Sequence, residues 1–233
     1  MSFLPFVSAL LGWVYTLLWS LSFWPQSINN YKHKSVEGFS KDFAHLNFLG
    51  FTSYAIYNLA FLTSKTVQKE YEDRHGDHPN VVRWNDAAFA VHAAILGGIQ
   101  MGQCWCYTAR QNYSIAIPHL SMFAVGSLII LLLIISASTL WASLAAAAEH
   151  TGNLNVDWLD VVNILSYTKL YITLVKYFPQ INLNRKRRST KGFSVENCLL
   201  DFSGGVLSLL QLVIDASLIN HDWSGITGNF GKL

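Results

Sequence analysis

Apolar side chains run along this chain in blocks long enough to cross a bilayer, and polar side chains gather between them. The blocks fall at 5–26, 42–64, 84–108, 115–147, 157–181 and 196–219. About 20 mainly apolar residues in a helix cross a hydrocarbon core of about 30 Å, so the pattern predicts six spans. Lipid offers no partner to backbone N–H and C=O groups, which leaves helices as the form such blocks take. The expected fold is all-α and multi-pass. No Lys or Arg precedes the first block, which reads as a retained helix and not a cleaved signal peptide.

Basic residues beside the spans set the expected orientation. Lys32, Lys34 and Lys41 follow the first block, Arg110 follows the third, and Arg185, Lys186, Arg187, Arg188 and Lys191 follow the fifth. In the other loops Glu70, Glu72, Asp73 and Asp77 offset Lys69 and Arg74, and Glu149 and Asp157 flank the later one. The odd loops are therefore expected in the cytosol and the N-terminus in a lumen or outside. The sequon at Asn112–Ser114 would then face the cytosol and carry no glycan.

One stretch occurs twice. Shifted by 154 positions, Pro25-Gln26 falls on Pro179-Gln180, Asn30 on Asn184, Ser35 on Ser189 and Gly38-Phe39-Ser40 on Gly192-Phe193-Ser194. Leu46, Phe48 and Gly50 then fall on Leu200, Phe202 and Gly204, while Asn47 falls on Asp201. An internal repeat of this kind defines a structural unit. The expected organisation is a first three-helix bundle over 1–110, a linker helix over 111–150 and a second, incomplete bundle over 151–233. That scheme needs seven helices, so the third helix of the second bundle is expected beyond Leu233. Three helices plus one linker make an even shift, so both copies share an orientation, as parallel transporter repeats do.

Composition supports the membrane reading. Hydrophobic residues make up 52% and charged residues only 13%, against about a quarter charged in soluble domains. A net charge of +2 gives no footing for nucleic acid. Cys104, Cys106 and Cys198 lie in apolar blocks without metal-site companions and read as buried space-filling thiols. Nucleotide loops and catalytic elbows are absent, so the chain is not expected to be an enzyme.

The candidate chemistry lies in polar groups inside the blocks. Pro25 and Pro179 each remove a helix donor, loosening the carbonyls of Leu21 and Val175, which Gln26 and Gln180 could satisfy. Each proline makes either a fixed kink or a hinge, and matched placement in two repeats favours paired hinges. Asp201 sits among Leu199, Leu200 and Phe202. An ionisable side chain at that depth is costly, faces a polar cavity and marks a transport path or a proton site; the alternative is a structural carboxylate. Asn197 precedes it by one turn on the same face. Asn85, Asp86 and His92 sit in the third block, where Asp86 either snorkels or acts, and His92 either packs or relays protons. Lys169 and Lys176 share a face about 10 Å apart along the axis. Trp19 and Phe23, four apart, either pack or line a cavity beside Trp24.

The twin Pro-Gln motifs with their basic loops resemble the PQ-loop family of lysosomal, vacuolar and sugar carriers, and within it the cystinosin branch of proton-coupled lysosomal cystine exporters. The resembling blocks are WSLSFWPQ (19–26), KSVEGFSKDF (34–43), LNFLG (46–50), NDAAFAVHA (85–93), KYFPQ (176–180), RSTKGFSVENCLLDFSGG (188–205) and GNFGK (228–232). The resemblance implies export of L-cystine from the lysosome or vacuole lumen by alternating access in a multi-pass membrane protein, with protons as coupling ion and no other cofactor. It implies proton coupling at Asp201 and Asp86, and a substrate site of Trp19, Phe23, Gln26, Asn47, Lys169, Lys176, Asn197, Asp201 and Lys232. Cystine carries two carboxylates and two ammonium groups, so Lys232 and the asparagine amides would take the former, and Asp201 the latter or the proton. Glu196 and Lys41 depart from the small or apolar residues expected there. The alternatives are a carrier of a cationic amino acid or other small solute, and a membrane receptor or scaffold that binds without transporting.

Overall fold

In the computed structural model the described residues are 3–74, 80, 82–112 and 157–219. The fourth apolar block, the sequon serine and Lys232 lie outside them. Every regular element among the described residues is helical: α1 (Phe3–His33), α2 (Lys41–Thr63), α3 (Lys65–Arg74), α4 (Trp84–Asn112), α5 (Trp158–Val175), α6 (Tyr177–Arg187) and α7 (Val195–Ile214), with a π-helical turn at Asp215–Ile219. Phe3–His33, Trp84–Thr108 and Val195–Leu218 are long and apolar enough to cross a membrane by length and composition. At 23 residues, α2 measures about 34 Å; its apolarity is diluted by Asn47, Ser53 and Asn58, all buried.

The predicted fifth span is interrupted. Helix α5 ends at Val175 and α6 begins at Tyr177, with Lys176 between them. Pro179 has no N–H for the Val175 carbonyl, while the Lys176 N–H still reaches Ile172 O at 2.8 Å. The matching Pro25 leaves α1 continuous. There α4 braces the helix on both sides of the proline: Gln100 Nε2 donates to Phe23 O (3.0 Å) and Gln103 Nε2 to Ser27 O (3.0 Å). The expectation that Gln26 and Gln180 serve the carbonyls freed by their neighbouring prolines is not met, because both amides are spent across the repeat boundary.

Each repeat's first helix packs along the other's second: α1 on α7 and α2 on α5, with α4 behind α1 and α2. Matched glycines permit this. A Cβ on Gly50 would come within 3.0 Å of Ile172 Cγ2 on α5, and one on Gly204 within 2.4 Å of Trp19 Cδ1 on α1. Gly205 faces open space, so of the Gly204-Gly205 pair one glycine makes the close approach. At one end of the bundle, amphipathic α3 folds back over a cluster built from Tyr54, Tyr57, Phe61, Val67, Leu159 and Val162. Arg74 there forks onto Asp160 (2.6 Å) and Asp157 (2.8 Å) beside the start of α5, and Glu70 accepts the Leu159 N–H at 2.7 Å. The two carboxylates hold the Arg74 guanidinium more firmly charged than usual.

Candidate functional site

The loops that follow the two Pro-Gln motifs are built alike, bond for bond. Lys34 and Arg188 adopt the left-handed region (φ 49° and 50°), as do Gly38 and Gly192 (φ 89° and 95°). The Phe39 N–H donates to Val36 O and the Phe193 N–H to Thr190 O, each at 3.0 Å. Ser40 then caps α2 by accepting the Phe43 N–H (3.3 Å), and Ser194 caps α7 by accepting the Asn197 N–H (3.2 Å). Side-chain oxygens at such positions satisfy helix N–H groups that have no intrahelical acceptor.

The glutamines cross between these loops. Gln26 Oε1 accepts the Ser194 N–H (2.7 Å) and its Nε2 donates to Gly192 O (3.1 Å) and Asn30 Oδ1 (2.8 Å). Gln180 Oε1 accepts the Ser40 N–H (2.8 Å) and its Nε2 donates to Gly38 O (2.8 Å) and Asn184 Oδ1 (2.9 Å). Both glutamines are fully buried. The loops meet back to back: a Cβ on Gly192 would fall 1.9 Å from Glu37 O, and one on Gly38 2.1 Å from Lys191 O. Arg187 adds a bridge to Glu37 at 3.1 Å.

One to two helical turns inward from these loops lies a narrow cleft. Its walls are Ser22 and Phe23 from α1, Phe43 and Asn47 from α2, Lys176 and Tyr177 at the α5–α6 break, and Asn197 and Asp201 from α7. These are four pairs of repeat counterparts, so the cleft lies on the axis relating the two halves. Lys176 is 6% exposed; its Nζ donates to Asn47 Oδ1 at 3.1 Å and stands 3.9 Å from Asp201 Oδ2. The rings of Phe43, Phe51 and Tyr177 surround that ammonium at 5.2–5.8 Å, where the π-faces partly replace its lost hydration. The Tyr177 hydroxyl donates to Asp201 Oδ2 at 2.6 Å. Asp201, with a third of its side chain accessible, thus lines the cleft with one short donor and a cation near by.

The other sequence candidates divide. Phe23, Asn47, Lys176, Asn197 and Asp201 come together around the cleft. Trp19 stands on the neighbouring turn of α1, where its indole N–H donates to Asp201 O at 3.1 Å and its ring covers Gly204; here it joins helices. Gln26, Pro25, Pro179 and Gln180 belong to the loop layer. Lys169 lies deeper along α5, its Nζ 4.8 Å above the Tyr54 ring. Asp86 stands in the first turn of α4 and accepts the Arg83 N–H at 2.9 Å, away from the cleft lining. His92 meets Phe23 edge-on at 6.4 Å, with a buried Nδ1 that has no partner among the described residues. Asn85 and Trp24 are exposed at the protein surface. Of the thiols Cys104 alone is buried; Cys106 is exposed and Cys198 half-buried, because two of them face outward from α4 and α7 and not into the core. Residue-by-residue reading passes over Tyr177, which the repeat shift pairs with Phe23.

The PQ loop repeat pattern matches this sequence twice, at residues 7–67 and 161–221. The chain belongs to the PQ-loop family. It is 40% identical to a protein named Cystinosin homolog in Dictyostelium discoideum over all of this chain and 76% of that relative. It is 40% identical to Cystinosin of Drosophila melanogaster, over 97% of this chain but 53% of the fly protein, and so spans about half the length of that animal relative. A Saccharomyces cerevisiae protein named Cystine transporter is 27% identical over 96% of this chain and 85% of its own length. The two PQ-loop matches are themselves offset by 154 residues, the same shift that superposes the paired loops, caps and cleft positions.

Proposed function

We propose that this PQ-loop protein carries cystine from an acidic lumen to the cytosol by alternating access, each passage coupled to a proton held by Asp201. The observation that carries this reading is the set Asp201, Lys176, Asn47 and Asn197 on the axis between the repeats. A zwitterion with two carboxylates and two ammonium groups needs donors and an acceptor close together. Lys176 Nζ and the Asn47 and Asn197 amides supply donors, and Asp201 supplies the acceptor or the proton site. A buried ammonium favours a solute bearing carboxylates over a purely cationic one, and the relatives' names agree with that choice.

In this reading the odd loops face the cytosol of a lysosomal or vacuolar membrane, with the N-terminus in the lumen. The back-to-back 34–40 and 188–194 loops are then the cytosolic closure, and the crossed glutamines hold it shut. Passage requires the two bundles, 1–110 and 151–233 joined through 111–150, to rock about the cleft, with the Pro25 and Pro179 regions as hinges. Lys169 lies along the path on the lumenal side, Asp86 is a second proton site near the lumenal end, and Lys232 completes the substrate site. The test is flux of labelled cystine into liposomes carrying the purified chain under a pH gradient. Wild type is expected to accumulate cystine with the gradient, and Asp201→Asn to lose gradient-driven uptake about a hundredfold, a loss of about 3 kcal/mol of coupling. Unchanged gradient-driven uptake in Asp201→Asn would remove the proton role.

A further inference from the structure

Around the cleft the repeats match in position but not in chemistry. Ser22 stands opposite Lys176, Phe23 opposite Tyr177, Phe43 opposite Asn197 and Asn47 opposite Asp201. Every titratable group of the lining therefore belongs to the second repeat. The helix interruption belongs to it as well: α1 is continuous past Phe23, whereas Tyr177 is the first residue after the break at Lys176. From that position its hydroxyl reaches to α7 and makes the shortest contact of the Asp201 carboxylate, 2.6 Å to Oδ2. Phe23 has no hydroxyl to offer Asn47.

We propose that Tyr177 is a positioning residue for proton coupling: its hydroxyl ties the protonation of Asp201 to the angle between α5 and α6. The proposal rests on the transport reading of the cleft. With α6 as found here, the phenol donates to the Asp201 carboxylate, a bond that is stronger to a carboxylate than to a carboxylic acid. A rotation of α6 on Lys176 withdraws the donor, and the carboxylate then takes a proton in its place. Proton uptake and helix movement become one event, which is what coupling requires.

The other groups facing Asp201 leave this task to Tyr177. Lys176 stands 3.9 Å away with its short bond made to Asn47. Lys169 is a further charge lower on α5, and Cys198 lies about one turn earlier on α7 itself. From α1, the Trp19 N–H goes to the Asp201 backbone oxygen and leaves the carboxylate free. From α2, Asn47 does not titrate.

The test uses the full chain in liposomes, with cystine counterflow at equal pH and gradient-driven uptake across a range of pH. Absence of cystine flux in wild type would sink the transport reading itself, whatever Tyr177 does. With wild-type flux present, Tyr177→Phe is expected to move the midpoint of the pH–rate profile upward by about one pH unit, a tenfold change in proton affinity. The KM for cystine in counterflow is expected to change less than about twofold, since the hydroxyl is spent on Asp201. A 3-fluorotyrosine at position 177 keeps the shape and makes the phenol a stronger donor, so the midpoint moves downward. If Tyr177→Phe fails to fold, the fluorinated chain decides alone. A midpoint that stays put in the fluorinated chain overturns the proposal.

Discussion

The side-chain oxygen of Gln26 takes the backbone N–H of Ser194 from the opposite repeat at 2.7 Å, in a layer from which water is excluded. The same amide donates to Gly192 O and Asn30 Oδ1, so a single side chain satisfies two backbone groups of the other loop. Truncation to alanine leaves the buried Ser194 N–H without a partner, at about 1–3 kcal/mol, while Gly192 O keeps a longer bond from Asn29 Nδ2 at 3.4 Å. Gln26→Ala is therefore expected to lower the melting temperature in detergent by about 2–12 °C, taking about 2–4 °C per kcal/mol for a chain of this size. Tryptophan fluorescence on heating measures it. A midpoint within about 1 °C of wild type would mean that solvent or a neighbour replaces the amide at no cost.

Much of this architecture is legible in the order of the residues alone. Five of the six apolar blocks coincide with helices among the described residues, while polar α3 comes from none of them, and the 154-residue shift gives the symmetry that pairs Asn47 with Asp201 and Gly50 with Gly204. The repeat cannot say whether matched groups bond within their own half or across to the other. By sequence Gln26 is a partner for its own proline's carbonyl, because spacing along one helix is visible and the approach of a second loop is not. Nor does the pattern say which proline interrupts its helix. That depends on outside braces such as Gln100 and Gln103, which hold α1 together around Pro25. Tyr177 is hidden for a related reason. A tyrosine in an apolar run reads as packing until something places a carboxylate 2.6 Å from its hydroxyl.

At the end of the bundle occupied by α3, Arg74 binds Asp157 and Asp160 in a fork. Its side chain is 39% exposed, and exposed ion pairs contribute little, about 0–1 kcal/mol. Arg74→Ala is accordingly expected to lower the melting temperature by no more than about 4 °C at neutral pH. The sign of the pH dependence follows from the partners. The guanidinium stays charged throughout, so the tie is complete where Asp160 is ionised and weakens as pH falls and that carboxylate takes up a proton. Arg74 holds the Asp160 carboxyl below the ordinary aspartate range, so the difference between wild type and Arg74→Ala should persist from neutral pH down to about pH 4 and shrink as pH falls further. Salt should shrink it too. A difference that grows on acidification would contradict this assignment.

Gly204 and Gly205 are neighbours on α7 with opposite surroundings, and substituting each tests how the halves touch. A Cβ on Gly204 would lie 2.4 Å from Trp19 Cδ1 and 2.5 Å from Nε1. The indole cannot simply retreat, because its N–H is bonded to Asp201 O. Alanine at 204 must push α7 off α1 or break that bond, an overpacking cost of about 1–3 kcal/mol. It also displaces the turn that carries Asp201 into the cleft. Gly205 meets nothing within 4 Å, and alanine there gains up to about 1 kcal/mol of helix propensity. Gly204→Ala is therefore expected to lower both melting temperature and gradient-driven cystine uptake, while Gly205→Ala leaves uptake intact and melts no earlier than wild type. The same order of outcomes in counterflow at equal pH would place the damage in the α1–α7 contact and not in proton handling. Equal behaviour of the two variants would mean that α1 and α7 do not meet at Gly204 in the membrane.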